Sequence, residues 1–409
     1  MEKLGTQIDE KLKCAVEAGQ TPLSEKMMQL LKKIGLDEVG SEMDRALGSV
    51  YGAFIGDAAG AYLEFWRGEL KQEDVEYAMT MPSGGAFQVG KAQVTDDSEM
   101  AMCIVNALYQ EDEKIQQKLN LDNLQIQFGN WLRSPPFDIG NTTYTALEVI
   151  KPQNIDPLIS FRNTKERTKS SLSNGCLMRI TPLAVWGYKL NEADLFQAVR
   201  LQTAFTHSHP FSHAACYLYC FAIQLLIQGA SRKDAFLQTF KEAAERFAGY
   251  IDTKSKNPHY YLNLVMKGAI DAYPKVNISI GSLIIAFTWS FHYLYKEEFT
   301  YQDALQDILE RGGDTDTNAA IMGGLLGAYY GVSKMNEHQL QSVVDFRCST
   351  SEEKKKFNVT HKRPDYLVPG LVLTEKLPSI IKNAPSNLQI VLNGNEKRPE
   401  DFNDVLINA

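Results

Sequence analysis

The stretch that decides the fold is residues 312–331, which read GGDTDTNAAIMGGLLGAYYG. It opens on a glycine turn in which acids and hydroxyls alternate, and the apolar spacing that follows predicts a helix over 317–330. Small residues recur along this segment at four-residue spacing, at Ala319, Gly323, Gly327 and Gly331. Glycine inside a helix costs about 1 kcal/mol relative to alanine. Its repetition on one face therefore predicts that another backbone or a ligand approaches that face closely.

A matching stripe lies near the start of the chain, at Gly48, Gly52, Gly56 and Gly60. Two stripes with the same spacing predict two helices that pack through their small faces. Tight core packing and close approach to a ligand both agree with this pattern, and they are compatible. Such packing would bring Asp57 and Glu64 near the acidic residues that precede the second stripe.

Helical spacing dominates the rest of the chain. Helices are predicted at roughly 118–132, 192–204, 211–228, 232–248, 258–271, 278–295, 301–310 and 317–330, and another begins at Thr95 or Asp96. Sustained alternation of apolar and polar residues, the mark of a half-buried strand, is almost absent. The predicted fold is therefore all-α, with the helices in layers rather than in a simple bundle.

Composition and charge argue against several classes of function. The chain has 409 residues, of which 44% are apolar and 22% charged, as in an ordinary soluble globular protein. A net charge of −8 without a Lys/Arg block argues against a nucleic-acid partner. The apolar stretches 214–227 and 278–295 are interpreted as core helices, so no membrane partner is expected.

Cysteine usage indicates the cellular compartment. The six cysteines form no CxxC pair; they are Cys14, Cys103, Cys176, Cys216, Cys220 and Cys348. We interpret them as reduced, mostly buried thiols. The first five residues contain no apolar signal core. A cytoplasmic protein is the expectation.

Three regions are predicted along the chain. Residues 1–43 are charged and lack the stripes; they include an amphipathic helix that follows Ser24 and ends at Gly35. This N-terminal extension is predicted to pack on the main domain or to bind another protein. Residues 44–370 are predicted to form the main domain, and residues 371–409 a C-terminal wrap with short helices or strands.

Two acidic runs, far apart in sequence, carry the chemistry: Thr95-Asp96-Asp97-Ser98-Glu99 and Asp314-Thr315-Asp316-Thr317. The dipole of the helix that follows each run offsets about 0.3–1 kcal/mol of repulsion per charge. A divalent cation would offset far more. If the fold brings the runs together, they form an all-oxygen cage suited to Mg²⁺ or Mn²⁺, with room for two ions that share a carboxylate. For the first run alone, a helix cap is the alternative, and Asp96 with Glu99 resembles a capping arrangement.

A further carboxylate, Glu64, follows Asp57 by seven residues and would share a helical face with it if the helix persists. It is a candidate metal ligand or general base. The alternative is an exposed charge at a helix end.

Small residues between Ser170 and Gly175 form a loop that enters the next helix. Such a loop exposes backbone N–H groups that suit phosphate oxygens, although an ordinary turn would have the same composition. The segment 135–143 is interpreted as a turn that caps the following helix.

Three histidines, His207, His209 and His213, lie close together in sequence. They suggest zinc, but no cysteine or carboxylate completes the set locally and Pro210 interrupts it. One histidine that lines a polar pocket is the preferred interpretation.

Taken together, these residues resemble the ADP-ribosylglycohydrolase family, typified by the dinitrogenase reductase-activating glycohydrolase. The matching motifs occur in the family's order: Gly56-Asp57-Ala58-Ala59-Gly60 with Glu64 downstream, Thr95-Asp96-Asp97, Ser171 with Asn174-Gly175 and Met178-Arg179, Thr206-His207, and Gly313 to Ala320. Five motifs in order are specific, whereas any one of them alone is not.

The resemblance implies a compact, orthogonal all-α domain with a binuclear Mg²⁺ centre at helix ends. It implies the metal ligands Thr95, Asp96, Asp97, Asp314, Asp316 and Thr317. Glu64 or Asp97 would be the catalytic base, and both remain open. The substrate would be bound by Asp57, Ser171, Ser173, Asn174, Gly175 and His207. The implied reaction is hydrolysis of the glycosidic bond between ADP-ribose and a protein side chain, with ADP-ribosylarginine as the expected substrate.

The chain departs from the family pattern in the extension that precedes the motifs. This extension resembles that of ADP-ribosylarginine hydrolases that act as immunity proteins, and it implies an alternative in which residues 1–43 bind and block an ADP-ribosyltransferase toxin. A third reading, an isoprenoid synthase, would require DDxxD, whereas Asp96-Asp97-Ser98-Glu99-Met100 lacks the last aspartate. The linkage cleaved, whether to arginine, serine or another group, stays open.

Overall fold

The structure, a computed structural model, describes residues 23–151, 155–247, 269–270, 275–276 and 279–406. The predicted helix at 258–271 lies almost wholly outside these residues, as does Cys14. The five other cysteines are free and buried.

Eighteen α-helices are defined among the described residues. They are α1 (Glu25–Lys33), α2 (Glu42–Gly60), α3 (Gln72–Ala78), α4 (Asp96–Leu108), α5 (Glu113–Gln116), α6 (Leu121–Arg133), α7 (Asn141–Leu147), α8 (Pro157–Arg167), α9 (Thr181–Trp186), α10 (Glu192–Thr203), α11 (Pro210–Ile227), α12 (Arg232–Arg246), α13 (Leu283–Tyr295), α14 (Tyr301–Glu310), α15 (Thr315–Tyr330), α16 (Glu337–Asp345), α17 (Ser351–Phe357) and α18 (Pro369–Lys382). The all-α prediction is confirmed.

Three short strands form the one sheet among the described residues: β1 (Lys118–Asn120), β2 (Gln389–Leu392) and β3 (Asn395–Lys397). β1 pairs in parallel with β2, with Leu119 opposite Ile390, and β2 pairs antiparallel with β3. The helix predicted over 118–132 therefore begins only at Leu121, because the three residues before it give their backbone groups to the sheet.

The helix predicted over 278–295 also begins late, at Leu283. Ser279 and Gly281 have φ angles of +59° and +80°, which no right-handed helix accommodates. The backbone here bonds instead to the loop before α9: Asn174 N–H donates to Gly281 O at 3.0 Å, and Leu283 N–H donates to Leu172 O at 2.8 Å.

The two glycine stripes meet in the contact between α2 and α15, which lie at the centre of the fold beside α11, α13 and α14. A Cβ on Gly52 would lie 2.4 Å from Gly323 O, and one on Gly327 would lie 2.1 Å from Gly48 O. These positions have no room for any side chain. The close helix approach expected from the stripes is therefore present, and it sets Gly60 against the backbone of Asp316.

The most apolar of the long helices, α11, lies in the core. Among the described residues it is the one helix long and apolar enough to cross a membrane, and 89% of it is buried inside the protein.

The described part of the N-terminal extension packs on the domain. Ser24 caps α1 by accepting a hydrogen bond from Met27 N–H at 2.9 Å. Leu31 and Ile34 are fully buried, and Gly35 ends the helix with a φ of +84°. The apolar face of α1 is thus used for internal packing.

The C-terminal region contributes α18, β2 and β3. The predicted boundary after residue 370 falls inside α18, which packs against α4 and α16. The division of the chain into 1–43, 44–370 and 371–409 stays a prediction.

Replacement of Gly52 by alanine tests the helix contact. Alanine favours an isolated helix by about 1 kcal/mol, yet we expect Gly52→Ala to lower the free energy of unfolding by about 1–3 kcal/mol because the new methyl group overlaps Gly323 O. Gly140→Ala is the matched control, since its φ is −67° and nothing lies within 4 Å of the added carbon. Denaturant unfolding measures both; equal stability of the two variants would contradict the packing.

Candidate active site

The N-termini of α4 and α15 meet at a cavity of about 510 Å³. Seven of the predicted site residues line it: Glu64, Asp96, Ser173, Asn174, Gly175, Asp314 and Thr317. The two acidic runs, which the sequence separates, therefore converge on one space, as predicted.

Asp57 lies beneath this cavity and holds the start of α4. Its carboxylate accepts hydrogen bonds from Thr95 N–H at 3.0 Å and from Ser98 N–H at 3.1 Å, and also from both hydroxyls. It is fully buried. Asp57 is not among the residues that line the cavity. This position suits a residue that orients Thr95 and gives no support to the predicted direct contact with substrate.

Around Thr95 the carboxylates are crowded. The Thr95 hydroxyl oxygen lies 3.0 Å from Oδ1 of Asp57, 3.1 Å from Oδ2 of Asp97 and 3.3 Å from Oδ2 of Asp316. From α15, the Thr317 hydroxyl lies 3.3 Å from Asp97. A single hydroxyl proton cannot satisfy three carboxylates at once, so these carboxylates repel one another unless protons or a cation intervene.

In the part of the chain that the structure describes, two groups of carboxylates are close enough to hold a cation. The first consists of Asp57, Asp97 and Asp316, the second of Glu64, Asp314 and Asp316. Within each group, one oxygen from every residue lies within 4.8 Å of the others. Asp316 belongs to both groups, which matches the expectation of a shared carboxylate between two ions.

Burial and mutual repulsion raise the pKa values of these acids and so favour their protonated forms while no cation is bound. Burial, with the charges of Asp138 and Asp314, raises the pKa of Glu64 to about 9. Burial and the charge of Glu64 raise the pKa of Asp316 well above its usual range. Burial raises the pKa of Asp97 in the same direction, with the Asp57 charge as a further cause.

The donor set fits hard divalent cations. All the clustered atoms are carboxylate or hydroxyl oxygens, which Mg²⁺ and Mn²⁺ prefer. Two buried oxygens, Asp97 Oδ1 and Glu64 Oε2, have no hydrogen-bond partner within the described part of the chain. A buried carboxylate oxygen without a partner is costly unless a cation satisfies it.

Glu64 does not share a helical face with Asp57, because α2 ends at Gly60 and a turn follows. The turn brings Glu64 to the cavity wall, where only 6% of the residue is exposed. The alternative of a solvent-exposed charge at a helix end is therefore wrong.

The loop before α9 contributes to the site through side chains more than through backbone N–H donors. Asn174 N–H is bonded to Gly281 O, and its side-chain amide donates to Asp314 Oδ2 at 2.7 Å. Asn174 thus orients a predicted metal ligand. Gly175 is required by space, since a Cβ there would lie 2.9 Å from Thr143 Oγ1.

His207 lies behind this loop and is fully buried. Its Nε2 is 2.7 Å from Ser173 Oγ, and its Nδ1 is 2.8 Å from Thr206 Oγ1. Ser171 does not line the cavity but bonds to Thr142, which does, at 2.7 Å. Both residues can act on a ligand through a neighbour, while Ser173 faces the cavity directly.

The three histidines serve separate purposes. His209 caps α11 by accepting from Phe211 N–H at 3.1 Å, while His207 orients Ser173. Burial lowers the pKa of His213 to about 3, so its imidazole is neutral. None of the three belongs to the cation groups found among the described residues.

The sequence reasoning missed Asp138. It lies in the segment interpreted as a turn, yet it lines the cavity and is hydrogen-bonded to Asp96. Burial raises its pKa to about 6. A lone aspartate in a loop that also contains prolines and glycine gives no periodic signal, so only the fold reveals it.

A buried ion pair, also missed, fixes this loop to α4. Arg363 binds Glu99 through two bonds of 2.6 and 2.9 Å, and Trp131 donates to Glu99 at 2.8 Å. Arg363 also donates to Ser134 O at 2.6 Å and to Pro135 O. The capping arrangement expected from Glu99 is therefore wrong, because its carboxylate is engaged by Arg363.

The sequence model of the family described as ADP-ribosylglycohydrolase matches residues 39–363. The chain is 30% identical to the ADP-ribosyl-[dinitrogen reductase] glycohydrolase of Rhodospirillum rubrum over 71% of its own length and 86% of the relative's. It is 26% identical to the ADP-ribosylarginine hydrolase Tri1 of Serratia proteamaculans (strain 568), covering 74% and 76% of the two chains. A solved ADP-ribosylglycohydrolase-related protein complex has the same fold, with a TM-score of 0.60, 20% identity, and coverage of 85% of this chain and all of the other.

Magnesium should stabilise the protein more at pH 8 than at pH 6. A carboxyl with a raised native pKa keeps its proton in the folded state. Metal-free stability is therefore greatest near or below the ordinary pKa of 4.5 and falls as the pH rises toward the Glu64 value of about 9. Ion binding must displace such protons, so affinity rises about tenfold per pH unit for each proton released. Thermal unfolding with Mg²⁺ and with EDTA at both pH values measures this; equal shifts would contradict the cluster's protonation.

Removal of the Arg363 side-chain charge should destabilise the fold strongly. Arg363→Met leaves Glu99 buried without its partner, and we expect a loss of about 3–5 kcal/mol in the free energy of unfolding. Lys33→Met is the matched control, because the Lys33–Asp345 pair is exposed and contributes about 1 kcal/mol or less. Similar losses in the free energy of unfolding of the two variants would contradict a larger contribution from the buried Arg363 pair.

Proposed function

Because the chain belongs to the ADP-ribosylglycohydrolase family, we propose that it removes ADP-ribose from modified protein side chains, with arginine as the linked residue. It is a glycosidic-bond hydrolase of this family. The observation that carries the proposal is the convergence of Asp96, Asp314, Thr317 and Glu64 on one cavity beside Ser173.

Arginine as the linked residue is supported by the charge of the cavity mouth. Glu64, Asp96, Asp138 and Asp314 all line it. A cationic guanidinium would be attracted to these acidic groups, whereas the neutral O-glycosidic linkage to serine would not. The relative from Serratia proteamaculans bears the name of an ADP-ribosylarginine hydrolase.

The metal centre would be formed by Thr95, Asp96, Asp97, Asp314, Asp316 and Thr317, with two Mg²⁺ ions, or Mn²⁺, as the proposed occupants. Family members are metal-dependent, and the acidic clusters of this chain are of the type that binds metal. When bound, the ions would bind the hydroxyl groups of the ribose and polarise the groups that react.

Glu64 is the better candidate for the catalytic base. It lines the cavity, and its Oε2 has no partner among the described residues. Asp97, the alternative, is 1% exposed and lies below, in contact with the hydroxyls of Thr95 and Thr317. We infer that Glu64, once ion binding has displaced its own proton, receives the proton of the attacking water, while Asp97 stays a ligand.

The proposed hydrolysis takes place at the anomeric carbon of the ribose. Water oxygen bonds to that carbon, and its proton passes to Glu64. The carbon–nitrogen bond breaks with its electron pair on the guanidine, which takes up the proton that Glu64 received and leaves as guanidinium. The surrounding carboxylates stabilise the positive charge that develops on the ribose ring. Ser173 and Gly175, which also line the cavity, would bind the diphosphate.

Two further expectations stay proposals. Cytoplasmic location is supported by the five free, buried thiols. A toxin-blocking role would fall to residues 1–22 or to the polar face of α1, because the apolar face of that helix packs on the domain.

The decisive assay compares arginine-linked and serine-linked ADP-ribosyl peptides, each with Mg²⁺ and with EDTA. We expect release of ADP-ribose from the arginine peptide alone, and only with the metal. Asp316→Asn should lower the rate at least about a hundredfold, since the shared ligand is lost. Asp37→Asn, an exposed acid paired with Lys382, is the control and should have normal activity. Full activity in EDTA, or in Asp316→Asn, would overturn the proposed chemistry.

Glu64→Gln tests the base separately. Because the amide keeps the shape but accepts no proton, kcat should fall about 10²- to 10⁴-fold with little change in KM. Stabilisation by Mg²⁺ in thermal unfolding should persist in this variant. A normal kcat in Glu64→Gln would return the role of base to Asp97.

A further inference from the structure

Aromatic side chains border the mouth of the cavity on one side. We call this set the aromatic rim; it consists of Tyr62, Phe65, Trp66, Tyr77, Phe87 and Phe137. Three of its members are strongly exposed: Phe65 at 53%, Trp66 at 38% and Tyr77 at 52%. Exposed aromatic groups of this size mark interaction surfaces more often than isolated surface residues do.

The rim is continuous rather than scattered. Tyr62 contacts Tyr77 and Trp66, with ring centroids 5.3 and 6.1 Å apart. Phe87 lies 5.8 Å from Phe65 and 6.1 Å from Phe137. Two arcs of aromatic rings therefore adjoin through the consecutive residues Phe65 and Trp66.

The second arc consists of Phe65, Phe87 and Phe137. Each end of this arc is adjacent in sequence to an acidic residue that lines the cavity. Phe65 follows Glu64 and itself lines the cavity, while Phe137 precedes Asp138. A polypeptide whose side chain enters the cavity from this side would pass over these rings. The rim is thus a direct extension of the proposed substrate site onto the surface.

Local structure holds the rings outward. Phe65 has a φ of +55°, an uncommon conformation for an aromatic residue. On the other side, His361 stacks on Phe137 at 4.7 Å and bonds to Phe87 O at 2.7 Å. The exposure is therefore built into the backbone and its neighbours.

The charge around the rim selects the partner. Between Glu64 and Tyr77 the sequence has five carboxylates, at positions 64, 69, 73, 74 and 76, against two basic residues, Arg67 and Lys71. Aromatic faces among carboxylates suit lysine and arginine, which combine cation–π contact with charge attraction.

We propose that the aromatic rim docks the polypeptide around the ADP-ribosylated residue and prefers basic residues beside it. This inference rests on the proposed function and adds the class of protein substrate to it. Trp66 and Tyr77 are the main contacts, since both are exposed and neither lines the cavity.

The first experiment measures binding without catalysis. Two fluorescein-labelled, unmodified peptides carry a central arginine, flanked by lysines in one and by glutamates in the other. At low ionic strength the protein should bind the lysine peptide about tenfold more tightly. Trp66→Ala and Tyr77→Ala should each remove most of that preference, whereas Phe240→Ala on α12, with 39% of the residue exposed, should not.

The second experiment measures hydrolysis of the lysine-flanked peptide after ADP-ribosylation, with ADP-ribosylagmatine as a substrate that has no polypeptide. The rim variants should raise KM for the peptide about tenfold and leave kcat/KM for ADP-ribosylagmatine within about twofold. Equal losses on both substrates would mean damage to the cavity and would overturn the docking role.

Failure of the two proposals can be told apart. Equal affinity of the wild-type protein for the two unmodified peptides overturns the docking role whatever the hydrolysis assay gives. A clear preference that depends on Trp66 and Tyr77, without hydrolysis of either ADP-ribosyl substrate, keeps the docking surface and rejects the proposed function.

Discussion

The contact between α2 and α15 is the constraint on which the rest of the structure depends. Two helices that touch through glycine lie backbone against backbone, with carbonyl oxygens where side chains would be. The Thr315 hydroxyl secures the same contact by donating to Gly60 O at 2.8 Å. With the helices so close, residues at the ends of both reach a common point, and Asp57 and Asp316 belong to one cluster.

The clustered acids oppose folding because they are buried close together. The protein satisfies its buried acids in two different ways. Glu99 is buried too, but Arg363 and Trp131 satisfy it permanently. Asp97 and Glu64 each have an oxygen without a hydrogen-bond partner among the described residues. These unsatisfied oxygens could bind an external cation, whereas Glu99 could not. Helix dipoles at the starts of α4 and α15 relieve only a small part of the repulsion.

The cavity above the cluster is formed by segments that have little regular structure. The turn with Glu64, the loop with Asp138, the loop before α9 and the residues before α13 each supply part of the wall. The loop with Asp138 is bonded to Arg363, which also binds Glu99 of α4, and the loop before α9 is bonded to Gly281, so both walls are held by distant parts of the chain. The aromatic rim continues the same turn and loop onto the surface, so the proposed recognition of the polypeptide and the proposed chemistry at the sugar would depend on the same supporting contacts.

The sequence by itself determined most of the long helices, the glycine contact and the acids of the type that binds metal, because each leaves a local mark: apolar period, small-residue spacing, or acids next to a helix start. No bounds were predicted from the sequence for several shorter helices, such as α3, α7 and α9. It also identified the loop before α9 as part of the site. The sequence predicted that this loop would act through its backbone N–H groups, whereas in the structure Asn174 acts through its side chain, which binds Asp314. Only the tertiary structure decided that β1 replaces the first turn of a helix, that Asp57 supports rather than faces the cavity, and that Asp138, Arg363 and the aromatic rim belong to the site. Those features depend on partners far away in the chain, such as Gln389 for Lys118 or Glu99 for Arg363, and no local pattern records which distant residue will be adjacent after folding.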